Sequence, residues 1–273
     1  MGLRRLLVAL LSVVVATDAG AATAAPNRFM FTTWQFATKE ETGAVGAVLR
    51  RHTTSDDYLG VNVERQFPDL AGRISRAHLY ALPPSLAAVE RATECGVRTG
   101  LIIYDGEHWE RTPIDEQADM ANAIGHGKAI VQQTGCQDYG VAPDGQYIGI
   151  SRSACRYDPP ASIHHAIDWT RITLFDIQAQ RLLGPQCIER AGVDAYVAAV
   201  RSITSDVRAR SSFPKIVAQL SFRLTPPETM IAAINQLTEI VDGFYIAYPN
   251  NVGSPCSYCS AGNLDQVLTA IRQ

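Results

Sequence analysis

Asp105 and Glu107 stand two residues apart where the apolar run Leu101-Ile102-Ile103-Tyr104 breaks off, and Trp109 follows. Val97 to Tyr104 reads as a buried strand, because apolar and β-branched residues dominate and a turn-forming glycine comes next. Side chains alternate faces along a strand, so the two acids share a face if the strand persists that far. Two carboxylates at the mouth of a buried strand, beside an aromatic plate, suit acid/base chemistry on a sugar. Glu107 has the longer reach and lies nearer solvent, which makes it the expected general acid. Asp105 sits deeper, where like-charge repulsion would raise the pKa of Glu107.

A second carboxylate could come from Thr173-Leu174-Phe175-Asp176-Ile177-Gln178, which puts Asp176 and Gln178 on one strand face. Facing inward, Asp176 pairs with Glu107; facing outward, it salt-bridges to a helix. Gln178, Gln219 and Ser221 are uncharged hydrogen-bonding groups suited to sugar hydroxyls. Tyr80, Tyr245 and Tyr248 lie near strand ends and complete the expected substrate surface, with Trp109 stacking on a sugar ring. The plainer alternative has the acids capping the next loop or pairing with Arg98 or Arg111. Arg152 suits an acidic substrate group or an ion pair.

Other chemistries lack their patterns. His164 and His165 are adjacent, so their side chains are expected to diverge, and no ligand spacing for a metal is present. There is no Gly-x-Ser-x-Gly and no Gly-x-Gly-x-x-Gly, and nothing demands a cofactor.

The elements that must position these residues alternate. Strands are expected at Phe29–Phe36, Arg76–Leu82, Val97–Tyr104, Tyr147–Ser151, Trp169–Ile177, Lys215–Phe222 and Val241–Tyr248. Helices are expected at Ala44–Arg51, Ser85–Cys95, from Thr112 to about Thr134, at Val193–Arg208, from Thr225 to about Ile240, and from Gly262 to Ile271. Thr112-Pro113-Ile114-Asp115 and Thr225-Pro226-Pro227-Glu228 both read as capping boxes with proline at the first helical position. This order implies a parallel sheet wrapped by helices. A TIM-like (β/α)8 barrel, irregular or incomplete, accounts best for polar residues at several strand ends. One more strand is needed to close it, at Tyr58–Val63 or near Asn251. An open doubly wound sheet is the alternative.

The chain has 273 residues, a net charge of −3 and 47% hydrophobic residues. That is enough for one large core, and single barrels commonly run to about 250 residues. No basic stripe points to nucleic acid. Arg4-Arg5, the apolar run Leu6–Ala16 and the small residues Ala19–Ala24 have the form of an export signal over residues 1–24, cut after Ala21 or Ala24. Residues 25–273 would then form one secreted barrel domain, a monomer with no membrane segment. Six cysteines fit an oxidising compartment, and Cys256-x-x-Cys259 is spaced for a local bridge.

Tyr104-Asp-Gly-Glu-His-Trp109, with Gln178-Ala-Gln-Arg181 and Val241-Asp-Gly243, resembles a group of secreted bacterial TIM-barrel proteins. Asp105-Gly106-Glu107 also resembles the end of the strand motif of family 18 glycoside hydrolases, the chitinase group. That resemblance implies Glu107 as the acid and Asp105 as the residue that positions a substrate acetamido group. The two earlier aspartates of the motif fall at Gly100 and Ile103. The motif closes the fourth strand in chitinases and the third clear strand here, which an unrecognised early strand would reconcile. The expected function is a secreted glycoside hydrolase acting on a neutral or N-acetylated glycan. The alternative is a non-catalytic barrel that binds carbohydrate or protein.

Overall fold

The structure, a computed structural model, describes residues 29–32, 43–61, 78–93, 100–248 and 256–273. The expected export signal, residues 33–36 of the first expected strand and the region near Asn251 lie outside these residues. Eight parallel strands close a barrel: β1 (Phe29–Thr32), β2 (Tyr58–Val61), β3 (His78–Ala81), β4 (Leu101–Tyr104), β5 (Asp138–Val141), β8 (Leu174–Ile177), β9 (Lys215–Ser221) and β10 (Gly243–Ala247). β1 pairs with both β2 and β10, which closes the ring. An antiparallel hairpin, β6 (Ile148–Ser151) with β7 (Arg156–Ser162), is inserted between β5 and β8.

β2 supplies the early strand, so the acids follow the fourth barrel strand rather than the third. Tyr147–Ser151 is a correction: it belongs to the hairpin, and the barrel strand at that point is β5. β5 escapes sequence reading because it is short and carries Gly140. A side chain there would press on Ile103 and Leu174, each 3.2 Å from the position of a Cβ. The expected strand Trp169–Ile177 is regular only from Leu174; Trp169 instead donates from its indole nitrogen to His164 O at 3.1 Å.

The helices are α1 (Ala44–His52), α2 (Leu86–Ala92), α3 (Ile114–Ala118), α4 (Met120–Thr134), α5 (Pro185–Ala191), α6 (Asp194–Arg210), α7 (Pro227–Leu237) and α8 (Ala261–Arg272). The helix expected from Thr112 is broken into α3 and α4, and neither proposed capping box forms. Thr112 Oγ1 donates to Pro84 O (2.9 Å), while Thr225 Oγ1 donates to Leu183 O (3.3 Å). Asp119 caps α4 by accepting from Asn122 N. Glu116 reaches back to accept from Leu86 N at the start of α2 and from the Tyr104 hydroxyl at 2.8 Å. Gly135 ends α4 in the left-handed region at φ 65°, where glycine carries no steric penalty.

The core has two layers. Outward residues of the strands, among them Ile102, Tyr104, Phe175, Ile216, Leu220 and Phe244, pack against the helices. The inner face is smaller: Tyr80, Leu101, Ile103, Ala142, Leu174, Val217 and Tyr245. The first and last helices meet across the β1–β2 side. Arg272 donates to His52 O from Nε (3.0 Å) and Nη2 (2.8 Å) and also pairs with Asp57, while Arg51 and His52 contact Asp265.

Disulfides join Cys155 to Cys187 and Cys256 to Cys259, and Cys136 is disulfide-bonded too. These bridges fit an oxidising, extracellular setting. Among the described residues no helix is long and apolar enough to cross a membrane.

Candidate active site at the barrel mouth

Strand alternation builds the site. On β4 the inward residues run Leu101, Ile103, then Asp105; on β8 they run Leu174, Asp176, then Gln178. β4 and β5 go on pairing beyond their regular ends, with Ala142 N donating to Tyr104 O (2.9 Å) and Asp144 N to Gly106 O (3.0 Å). Asp105 and Asp144 are thereby neighbours at the rim. Gln178 Nε2 ties the ends of β4 and β5 to β8, donating to Asp105 Oδ1 (3.1 Å) and Ala142 O (2.7 Å).

The condition for Asp105 and Glu107 to share a strand face, that the strand persists to Glu107, is not met. Strand-like pairing runs on through Asp105, whose N donates to Pro83 O (2.9 Å), and the chain turns at Gly106, with Glu107 N donating to Asp105 O and Trp109 N to Glu107 O, both at 3.0 Å. Glu107 reaches the mouth through this turn and remains half-buried.

The carboxyls differ in environment. Asp176 is 1% exposed and its Oδ1 makes no hydrogen bond. Burial, then the charge of Glu107, pushes its pKa well above the usual carboxylate range. Asp105 is pushed the same way by burial, by Glu107 and by Asp176, with the Gln178 hydrogen bond opposing. Glu107 is raised by burial and by Asp144, and drawn back by Arg181, Arg152 and Arg111. Arg152 Nη2 holds Asp144 at 2.9 Å. Tyr80 and Tyr245 hydrogen-bond to each other and feel the charges of both buried aspartates.

Of the residues singled out in the sequence, the structure brings together Asp105, Glu107, Asp176, Gln178, Tyr80 and Tyr245. Gln219 and Ser221 lie on the same inner face, on β9, and Gln219 Oε1 is buried without a hydrogen bond. Trp109 stands at the rim, its Nε1 donating to Thr112 Oγ1 (3.0 Å) and the Arg111 guanidinium over its ring at 5.0 Å. Tyr248 is a correction. It falls on the outward register of β10 and packs edge-on against Phe222, ring centroids 5.3 Å apart.

Asp144 and Arg181 join the site without having been singled out as site residues. Asp144 continues the inward alternation Gly140, Ala142, Asp144, a signal hidden with β5 itself. Arg98, one expected partner of the acids, lies outside the described residues. The expectation that His164 and His165 diverge also fails. They occupy one 3-10 turn (Ile163–His165), where successive residues are about 120° apart rather than on opposite faces. Their ring centroids are 4.0 Å apart.

No protein family matches the chain, and no curated protein does. Solved structures do match. The catalytic domain of a family GH18 chitinase from the fern Peteris ryukyuensis is 12% identical, covering 90% of this chain and 99% of its own, with a TM-score of 0.51. A sugar phosphate isomerase/epimerase from Parabacteroides distasonis is 9% identical, covering 91% and 96%, with a TM-score of 0.49. At 12% identity the likeness to the chitinase domain is one of barrel fold.

Proposed function

We propose that the barrel mouth is a glycoside-cleaving site of an exported, monomeric protein, with residues 1–24 as the export signal and an N-acetylated or neutral glycan as substrate. One observation carries this reading: Glu107 follows the fourth barrel strand, half-buried, with its carboxyl biased toward the protonated form beside Asp105. A general acid must hold a proton until the leaving oxygen takes it. Arg181, Arg152 and Arg111 then stabilise the carboxylate left behind, which can draw a proton from the incoming water.

The sugar carbon also needs a partner for its positive charge. A carboxylate nucleophile must be ionised, and burial opposes ionisation of Asp105 and Asp176 alike. The substrate's own acetamido group serves better, with Asp105, anchored by Gln178, hydrogen-bonding to it. Tyr80, Tyr245, Gln219 and Ser221 line the inner face beneath.

The test is turnover of a panel of N-acetylated and neutral glycans by wild type and Glu107→Gln. Wild-type cleavage with a loss of about 10²–10⁴-fold in the variant supports the assignment. Equal turnover removes Glu107 from the mechanism. A binding barrel is the second reading, favoured by the apolar Ile103 and the small Gly100 at the motif's two earlier acidic positions. Glycan binding by wild type without cleavage of any panel member would establish it.

A further inference from the structure

The β6–β7 hairpin is fastened near its turn by the Cys155–Cys187 bridge. Its other end runs into the turn that carries His164 and His165, against α6. We propose that His164, His165 and Asp206 form a binding site for a divalent transition-metal ion of the zinc type, which pins this end of the hairpin to α6.

One ligand atom from each of the three residues lies within 4.8 Å of the others. His164 is 0% exposed, and its Nε2 makes no hydrogen bond although Asp206 Oδ2 is 3.4 Å away. A buried imidazole nitrogen aimed at a carboxylate oxygen wants a proton or a cation between them. Its other nitrogen, Nδ1, is engaged by Ser162 Oγ. Metal-bound histidines have this second-nitrogen hydrogen bond, which orients the ring and leaves the first nitrogen's lone pair for the ion. Zinc–nitrogen and zinc–oxygen bonds of about 2.0–2.2 Å give a tetrahedral ligand–ligand edge of about 3.4 Å. The His164–Asp206 separation matches that edge.

His165 is exposed and completes the set from the solvent side. Arg210 competes for it, its Nη2 lying 3.0 Å from His165 Nδ1. A guanidinium only donates, so this contact occupies a lone pair that a metal would use. Arg210 is itself exposed and free to swing into water. The ring of Tyr157 lies over His164, with centroids 6.4 Å apart. The C-terminal end of α6 leads into the start of β9, the end of the barrel opposite the mouth. The ion there is a fastening, apart from the acids of the candidate active site.

The experiment is calorimetric titration of the full chain, stripped with EDTA, with zinc chloride. One ion per chain is expected, with a zinc-dependent rise in melting temperature. His165→Ala and Asp206→Asn should each weaken binding by about tenfold or more. Arg210→Ala should tighten it, and Glu107→Gln should leave it unchanged. His165 is exposed, so its variant tests the ligand role without opening the core. The proposal is overturned if wild type takes up no zinc, if both ligand variants bind as wild type does, or if Glu107→Gln abolishes uptake.

Discussion

The two faces of the barrel sheet have different jobs, and β8 shows both within four residues. Phe175 and Ile177 point outward into a layer of apolar side chains, with Phe175 tilted on Trp169 at a centroid distance of 4.8 Å. Leu174 and Asp176 point inward, the first into a small apolar plug and the second into a fully buried position without a hydrogen bond at Oδ1. The outer face buries hydrocarbon, which stabilises at about 25 cal/mol per Å². The inner face buries ionisable groups at a cost. Apolar packing is thus concentrated on one side of each strand and the buried ionisable groups on the other.

Breaking the outer layer should give the largest stability effect. Phe175→Ala removes a fully buried ring and is expected to lower unfolding free energy by about 3–5 kcal/mol, measured by urea denaturation. Glu107→Gln should do the reverse, leaving stability within about 0.5 kcal/mol while lowering the proposed turnover about 10²–10⁴-fold. If both variants lose stability equally, the division between the faces does not hold.

The buried aspartates sharpen the contrast. An unfolded aspartate ionises near pH 4, whereas Asp176 keeps its proton to higher pH in the folded chain. Between those limits the folded state binds more protons, so stability falls as pH rises. Asp176→Asn should flatten that decline in melting temperature measured from about pH 4 to pH 8. The smallest effect belongs to the rim. Asp144 raises the Glu107 pKa, so Asp144→Asn lowers it and moves the alkaline limb of kcat/KM to lower pH. Arg181→Gln should move the same limb to higher pH.

Much of the barrel is legible in the sequence because the outer face writes a strong signal. Lys215–Ser221, Gly243–Ala247 and the long helix α6 stand close to their expected positions. The inner face writes a weak one. Gly140 and Gly60 occupy inward positions, so β5 reads as loop and β2 as ambiguous. Asp144 vanished with β5, and hairpin strand β6 took its place in the expected order. Local rules also lost to tertiary contacts. Thr112 and Thr225 have capping sequences, yet their hydroxyls serve the carbonyls of Pro84 and Leu183. The acids themselves are legible as a pair, but their geometry is not, because a turn at Gly106 interrupts the expected strand between them.

The clasp between Arg272 and the loop after α1 has a consequence for biosynthesis. Its two halves are separated by more than two hundred positions. During translation, His52 and Asp57 emerge more than two hundred residues ahead of that guanidinium. Until residue 272 clears the ribosome, the first quarter of the ring must do without this clasp.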